Sequence, residues 1–408
     1  MRVSRKILAL SALFMSLVLL SSHNLMAIGE EAPIIALANN NIYLVSPTDG
    51  DARLVVERDP EKDALIAEKF GTASLKLSPI SPDNTKFAYV APLYEVLDPA
   101  FEDKQREIAN LHPRDITLVD IASGALTPIT DQGANFAEAV ENDKLTNFSH
   151  LTWSIDGQRL YYLASVLSLR NRVPQRRIEY YDLASGERQV LAKLSPQAEL
   201  IGLYPVHPGV VALTRPPNQT DFDFTLYDPD GFMLNLIKMP LPGSMDCTNG
   251  TLFDMNPVFH EDRYYYGYYP HKTSEVIPAL LDTALEDTSL LSEDQYPTII
   301  SRTNPDTSLR VVYTGMCDYN LSTRWMIADV EDNVTNYPPL MGVSHLFEMA
   351  LSPDGALLAI LDPNRDNVSD LAPITIIDAD GIRELDFVAN QIRWGAIDFT
   401  FTSVILHG

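Results

Sequence analysis

The sequence predicts an all-β fold assembled from repeated four-stranded antiparallel sheets, and three observations carry that expectation. An alternating apolar strand ending in aspartate, followed by a turn with glycine or another turn former, recurs six times along the 408 residues. A second phrase, made of a short strand, a tight Ser-Pro-Asp-Gly-like turn and an apolar strand, precedes each copy. The composition, 46% hydrophobic and 21% charged with 19 glycines, belongs to a packed globular chain rather than a disordered or glycine-repeat one.

The first phrase reads Ile116-Thr117-Leu118-Val119-Asp120 with Gly124 in its turn. It returns as Ile178-Glu179-Tyr180-Tyr181-Asp182 with Gly186, Phe224-Thr225-Leu226-Tyr227-Asp228 with Gly231, and Ile374-Thr375-Ile376-Ile377-Asp378 with Gly381. Weaker copies end at Asp282 and Asp329, so that successive aspartates lie 46 to 62 residues apart. An N-terminal copy, Ile42-Tyr43-Leu44-Val45, carries Ser46 in place of aspartate and Gly50 in its turn. The second phrase is strongest at Ser81-Pro82-Asp83-Asn84, Ser154-Ile155-Asp156-Gly157 and Ser352-Pro353-Asp354-Gly355.

Asp-Gly and Pro-Asp-Gly are hairpin-turn chemistry, in which glycine or asparagine supplies the positive φ. Two hairpins per repeat make a four-stranded sheet that cannot bury both faces alone, so each sheet must stack on its neighbours. Radial stacking of such sheets is a β-propeller. Six repeats are complete. Residues 34–56 read as an N-terminal hairpin lacking its first two strands, and residues 392–406 as a C-terminal hairpin lacking its last two. Together they are expected to make a seventh blade. The predicted architecture is therefore a seven-bladed β-propeller of four-stranded antiparallel blades, its ring closed by N- and C-terminal strands, occupying residues 28–408 as one domain.

The Ser-Pro-Asp-Gly turn followed by an apolar strand resembles the WD40-like repeat of TolB-type propellers, which also occurs in the propeller domain of the prolyl oligopeptidase family. The resemblance implies the propeller fold and says little about function, because such propellers serve as scaffolds, ligand binders and occasionally enzymes. The TolB N-terminal α/β domain finds no room in residues 28–33. A peptidase domain would need a Gly-x-Ser-x-Gly elbow, and Gly342-Val343-Ser344-His345-Leu346 lacks the second glycine.

Charge and the N-terminus bound the setting. Thirty basic against 55 acidic residues give a net charge of −25, which argues against nucleic acid as a partner. Arg2, Arg5 and Lys6, an apolar run over residues 7–20 and a small Ala27 have the arrangement of a secretory signal peptide over residues 1–27. The apolar run is too short to span a bilayer. A secreted or periplasmic protein with no transmembrane span after signal removal is expected, with an uncleaved N-terminal anchor as the alternative. Export permits disulfides, and Cys247 and Cys317 are expected to pair. Both map to loops on one face of adjacent blades, closing a loop of about 70 residues worth roughly 4 kcal/mol in the chain-entropy view.

The surplus length falls in loops between blades and between second and third strands, which share one face. Asp98 and Pro99 can start a helix within residues 92–113, placing Phe101, Ile108 and Leu111 on one side; residues 134–148 are a second helical candidate. This loop-rich face is the expected ligand face, with His150, Arg170, Arg172, His271, Asp318, Arg324, His345 and Arg365 as its candidate residues. His112 maps near it too, and Arg170, Arg172, Arg176 and Arg177 form a basic cluster partly in one of its loops. No histidine spacing matches a metal motif. Asp228-Pro229-Asp230-Gly231 and Asp378-Ala379-Asp380-Gly381 begin like calcium loops but lack the rest of one. Turn chemistry is the expected role, structural calcium is the weaker alternative, and no cofactor is predicted. The aromatic run Tyr264-Tyr265-Tyr266-Gly267-Tyr268-Tyr269 is expected to pack between blades rather than stack on a sugar. No catalytic constellation emerges. The expected function is a monomeric exported scaffold that binds a protein or envelope-associated ligand on the loop-rich face. The alternative is a lyase or hydrolase acting on a polysaccharide or ester through an axial His/Arg/Asp site.

Overall fold

The computed structural model describes residues 32–239, apart from 72–73, 110, 169–172, 206–208 and 218–221, and residues 349–394, apart from 353–356, 362–370 and 379–380. Between these two stretches, and at 404–406, it describes strand backbones. The fold is all-β and contains several four-stranded antiparallel sheets.

Ile34–Ala38, Asn41–Val45 and Ala52–Val56 share a sheet with Gln391–Arg393. The first complete sheet follows, with strands Lys76–Leu77, Lys86–Pro92, Arg114–Asp120 and Leu126–Pro128. The second holds Leu145–Trp153, Arg159–Leu167, Gln175–Asp182 and Glu187–Lys193. The third holds Glu199–Pro205, Val210–Arg215, Phe222–Tyr227 and Met233–Met239. Strand backbones repeat the pattern over residues 258–290 and 298–341, and a last sheet runs from Met349–Leu351 to Gly381–Ala389. The aromatic run is placed by its backbone: Arg263–Tyr268 is a strand between Val258–His260 and Ile277–Asp282.

Local chemistry explains the hairpins. In the second sheet the Ser154 hydroxyl donates to Asp156 Oδ1 at 2.5 Å and accepts the Arg159 amide at 2.9 Å, while Asp156 accepts the Gln158 amide at 3.0 Å. Ser81 and Asp83 repeat this, with Asn84 at φ 57° where Gly157 has 69°. The repeat aspartates close the other turn: Asp120 accepts from the Ser123 amide and hydroxyl, and Asp182 from the Ala184 and Ser185 amides. Asp228 accepts the Asp230 and Phe232 amides with Gly231 at φ 86°, so Asp228-Pro229-Asp230-Gly231 closes a turn.

These bonds favour the ionised carboxylates. At Asp120 and Asp182 the Ser123 hydroxyl and the Ser185 amide lead in lowering the pKa. At Asp83 and Asp156 desolvation pushes upward but is outweighed by the serine and backbone donors. Groups whose folded pKa is depressed stabilise the fold above the ordinary carboxylate range, and the contribution is lost as the pH falls through the folded values. Asp156→Ala is expected to cost about 1 kcal/mol at neutral pH, measured as a lower urea midpoint, with a smaller difference from the wild type at pH 3.

Strand alternation places one set of side chains against each neighbouring sheet. Ile35, Leu37 and Leu44 pack on Leu77, Phe87 and Tyr89 of the first sheet, whereas Ile34, Ala36 and Val45 pack on Ala359, Leu361 and Ile374 of the last. Ala88 and Val90 meet Phe148, Trp153 and Tyr162 of the second sheet, whose Tyr161 and Leu163 meet Leu203 and Val210 of the third. Five sheets thus stack face to face, with the sheet that joins N-terminal and C-terminal strands lying between the last sheet and the first.

That sheet corrects one expectation. It takes three strands from the N-terminal region and one from the C-terminal region, not two from each. Ile34–Ala38 is buried along its whole length and has ladder partners on both sides. Asn39 and Asn40, at φ 50° and 62°, turn it back onto Asn41–Val45. Ile35, Ala36 and Leu37 pair with Arg393, Ile392 and Gln391 on the other side. Of the remaining C-terminal stretch, Val404–Leu406 pairs with Thr251–Phe253 instead.

Candidate functional site

The insertions fold into helices at one end of the sheets. The expected helix start is present: Asp98 accepts the Ala100 amide, Pro99–Lys104 is a 3-10 helix, and helix α2 (Gln105–Ala109) continues it. Helix α3 (Phe136–Glu141) falls within the second candidate stretch. Helix α1 (Pro60–Phe70) was not anticipated. Its signals are Asp59 capping the Glu61 and Lys62 amides, Pro60 in the first turn and Gly71 at φ 84° closing the C-terminus. The helices bury Ile66, Val96, Ile108, Leu111, Phe136 and Val140 against one another. They join sheets, or second to third strands, so all three lie on the expected face.

Under this cap, cationic and imidazole side chains gather at the helix-rich ends of the strands. Lys76 is the first residue of its strand and Arg114 the first of its own, and Arg176 is the second residue of Gln175–Asp182. His112 ends the long insertion, and His150 sits on the edge strand of the second sheet. Their pKa values show that they act on one another. Desolvation, then Arg114 and Lys76, lowers His112. Desolvation, then Arg114, lowers Lys76. Desolvation, then Lys76 and Arg176, pulls His150 to about 4, so its imidazole is neutral at pH 7.

His150 and Lys76 keep solvent-exposed surface although desolvation dominates both shifts. The two facts agree when a side chain lines an enclosed, water-accessible space with protein on most sides. Backbone geometry delivers His150 there: the ladder slips between Ser149 and Thr152, and His150 takes φ 54°. A bulge of this kind re-aims a side chain, and positive φ in a non-glycine residue costs about 1–3 kcal/mol. The Ser149 hydroxyl lies 2.9 Å from His150 Nδ1.

Neighbouring carboxylates are engaged elsewhere. Asp115 accepts the Thr130 hydroxyl at 2.7 Å and the Gln132 and Gly133 amides at 3.0 and 2.7 Å. Asp63 holds Arg58 at 2.7 Å and accepts from Asn40 at 3.0 Å. A small, solvent-open and mostly apolar pocket lies at one edge of the cluster, walled by Ile66, Phe70, Leu93 and Val96, with His112 and Arg114 among its lining residues. Among the described residues no group of three or more His, Cys, Asp or Glu side chains is arranged to hold a metal ion.

Of the expected ligand-face residues, His150 is placed in this cluster. Arg324 lies on the strand Ser322–Asp329 opposite Val312, with its backbone alone described. Arg170, Arg172, His271, Asp318, His345 and Arg365 lie outside the described residues, as do Cys247, Cys317, the signal segment 1–27 and the Gly342–Leu346 motif at 342–346. Within the basic cluster the roles divide: Arg176 donates to the Ala198 carbonyl and its charge helps lower the His150 pKa, whereas Arg177 pairs with Glu179 at 2.7 Å. Lys76 and Arg114 were not anticipated, being single polar residues at strand starts.

No family model matches the chain, and no curated protein matches it. Solved structures do. An oligogalacturonate lyase from Vibrio parahaemolyticus is 11% identical with a TM-score of 0.47, covering 83% of each chain. TolB from Acinetobacter baumannii is 11% identical at 0.41, covering 88% of this chain and 82% of its own. The β-propeller domain of the Trilobed protease from Pyrococcus furiosus is 12% identical at 0.43, covering 88% and 89%. The TolB and peptidase propellers that the turn motif resembles are thus among the structural neighbours. Among the described residues no helix is long and apolar enough to cross a membrane.

Proposed function

We propose that the chain is an exported seven-bladed β-propeller, its ring closed where Ile34–Ala38 meets Gln391–Arg393, that binds a protein or other envelope-associated ligand on its helix-rich face. The observation that carries this reading is the gathering of Lys76, Arg114, Arg176, His112 and His150 at the helix-rich strand ends. It supports binding over catalysis. A general base works best with a pKa near the operating pH, and His150, held at about 4 by burial and by Lys76 and Arg176, takes a proton poorly at neutral pH. A lyase or hydrolase would need its proton acceptor elsewhere.

The face is tested by site-specific photo-cross-linking in the native envelope fraction. A photoreactive residue at exposed Glu102, on the cap, is expected to form an adduct, and one at exposed Ser123, in a turn at the opposite end of the first sheet, is not. Adducts from Ser123 and none from Glu102 would overturn the assignment.

A further inference from the structure

We propose that the helix-rich ends of the first two sheets form a binding site for a compact anionic group, a carboxylate or a phosphate, held by Lys76, Arg114 and Arg176 with His150 beside it. The inference rests on the reading of this face as the binding face and names the chemistry of what it takes.

The first ground is a charge imbalance in an unexpected place. In a chain with a net charge of −25, carboxylates are abundant. Arg58, Arg159, Arg177 and Arg215 each meet one. Among the described residues no ion pair includes Lys76, Arg114 or Arg176. Arg114 is 6% exposed and donates to the Ser74 carbonyl at 3.1 Å. A guanidinium this buried ordinarily has a carboxylate partner. Its neighbour Asp115 is turned to Thr130, Gln132 and Gly133, and Asp63 is committed to Arg58 and Asn40. Like charges held together without a counter-charge are costly, and an arriving anion removes that cost.

The second ground is the backbone. His150 is held at positive φ by a ladder slip, beside the Ser149 hydroxyl, in a water-accessible space. Strain of this kind accumulates at binding sites. The charges acting on the ring are Lys76 and Arg176, with Lys76 in turn acted on by Arg114. An anion seated among them favours the imidazolium, so binding raises the pH at which His150 takes up a proton.

The test uses the full chain with inorganic phosphate and malonate as probes, in 0.15 M salt so that unspecific surface attraction is screened. Calorimetric titration and the pH titration of the His150 ring proton, assigned by its loss in His150→Gln, are the readouts. At least one probe is expected to bind saturably and to move the His150 midpoint upward. Lys76→Gln and Arg176→Gln are expected to weaken binding about tenfold or more, and Lys76→Gln, an exposed position, is expected to keep the wild-type melting temperature. Preference for phosphate or malonate distinguishes the two sources of the charge. Absence of saturable binding by both probes, an unmoved His150 midpoint, or wild-type affinity in folded Lys76→Gln would overturn the proposal. Cross-linking from Glu102 without probe binding removes the anion site and leaves the face assignment standing; probe binding without cross-linking does the reverse.

Discussion

Trp394→Ala is expected to cost about 3–5 kcal/mol, in the range for removing a large aromatic from a packed core. The indole is 1% exposed and belongs to a cluster that joins Ile34, Ala36 and Val45 to Leu361, Ile374 and Ile376 of the last sheet. Its Nε1 donates to the Ala32 carbonyl at 2.7 Å. One side chain therefore ties the C-terminal strand to the N-terminal one, beside a ladder of only three residue pairs and one further bond from the Asn390 amide to the Leu37 carbonyl. Three paired residues are a weak hold on their own, so side-chain burial must supply most of the stability of this junction. Trp394→Phe, which keeps most of the apolar area and loses the donor, should cost about 1–2 kcal/mol. Urea unfolding followed by circular dichroism measures both. If Trp394→Ala unfolds at the wild-type midpoint, the junction is not held in this way.

The parts of the fold that were legible in the sequence are those determined locally. Ser81 with Asp83, Ser154 with Asp156, and Asp228 with Gly231 declare their turns because donor, acceptor and positive-φ residue lie within five positions. Asp98 and Pro99 likewise announced a helix. Asp59, Pro60 and Gly71 carry an equally local signal for α1, within a stretch between two strand repeats. The division of strands at the chain ends was not legible, because the partner of Ile34–Ala38 lies some 350 residues away and an all-apolar strand has no face pattern to count from. The Asn39-Asn40 pair was the available hint that the hairpin begins at Ile34. At the candidate site, the break in alternation from Phe148 to Leu151 and Trp153 marks the slip that aims His150. Lys76 and Arg114 had no such signal. They converge because two sheets stack, which no single stretch of sequence encodes.

Asp63→Ala is expected to cost about 3–5 kcal/mol, because it leaves the Arg58 guanidinium buried without a counter-charge. The side chains of Arg58 and Asp63 are 10% and 8% exposed, and their contact is 2.7 Å. Arg58 also lies over the Tyr94 ring at 4.0 Å, and Tyr94 Oη accepts the Asp59 amide at 2.9 Å. Desolvation, partly offset by Arg58, leaves the Tyr94 pKa at about 12, so the phenol stays neutral. Asn40, α1 and the insertion of the first sheet are thereby fastened together. The double variant Arg58→Met/Asp63→Leu should lose much less than the sum of the single losses, since it removes both charges and keeps apolar volume. A double-mutant cycle by urea unfolding reads the coupling; additive single effects would show that the pair does not act as a unit. The pair also separates scaffold from site. Arg58 is the charge that acts on Arg114, and Asp63 balances it. In the fraction of Asp63→Ala that remains folded, the potential around Arg114 becomes more positive. Such a variant should therefore hold an anionic probe at least as tightly as the wild type while being much less stable. Loss of stability and loss of binding moving together would instead make the cluster part of the packing and not a site.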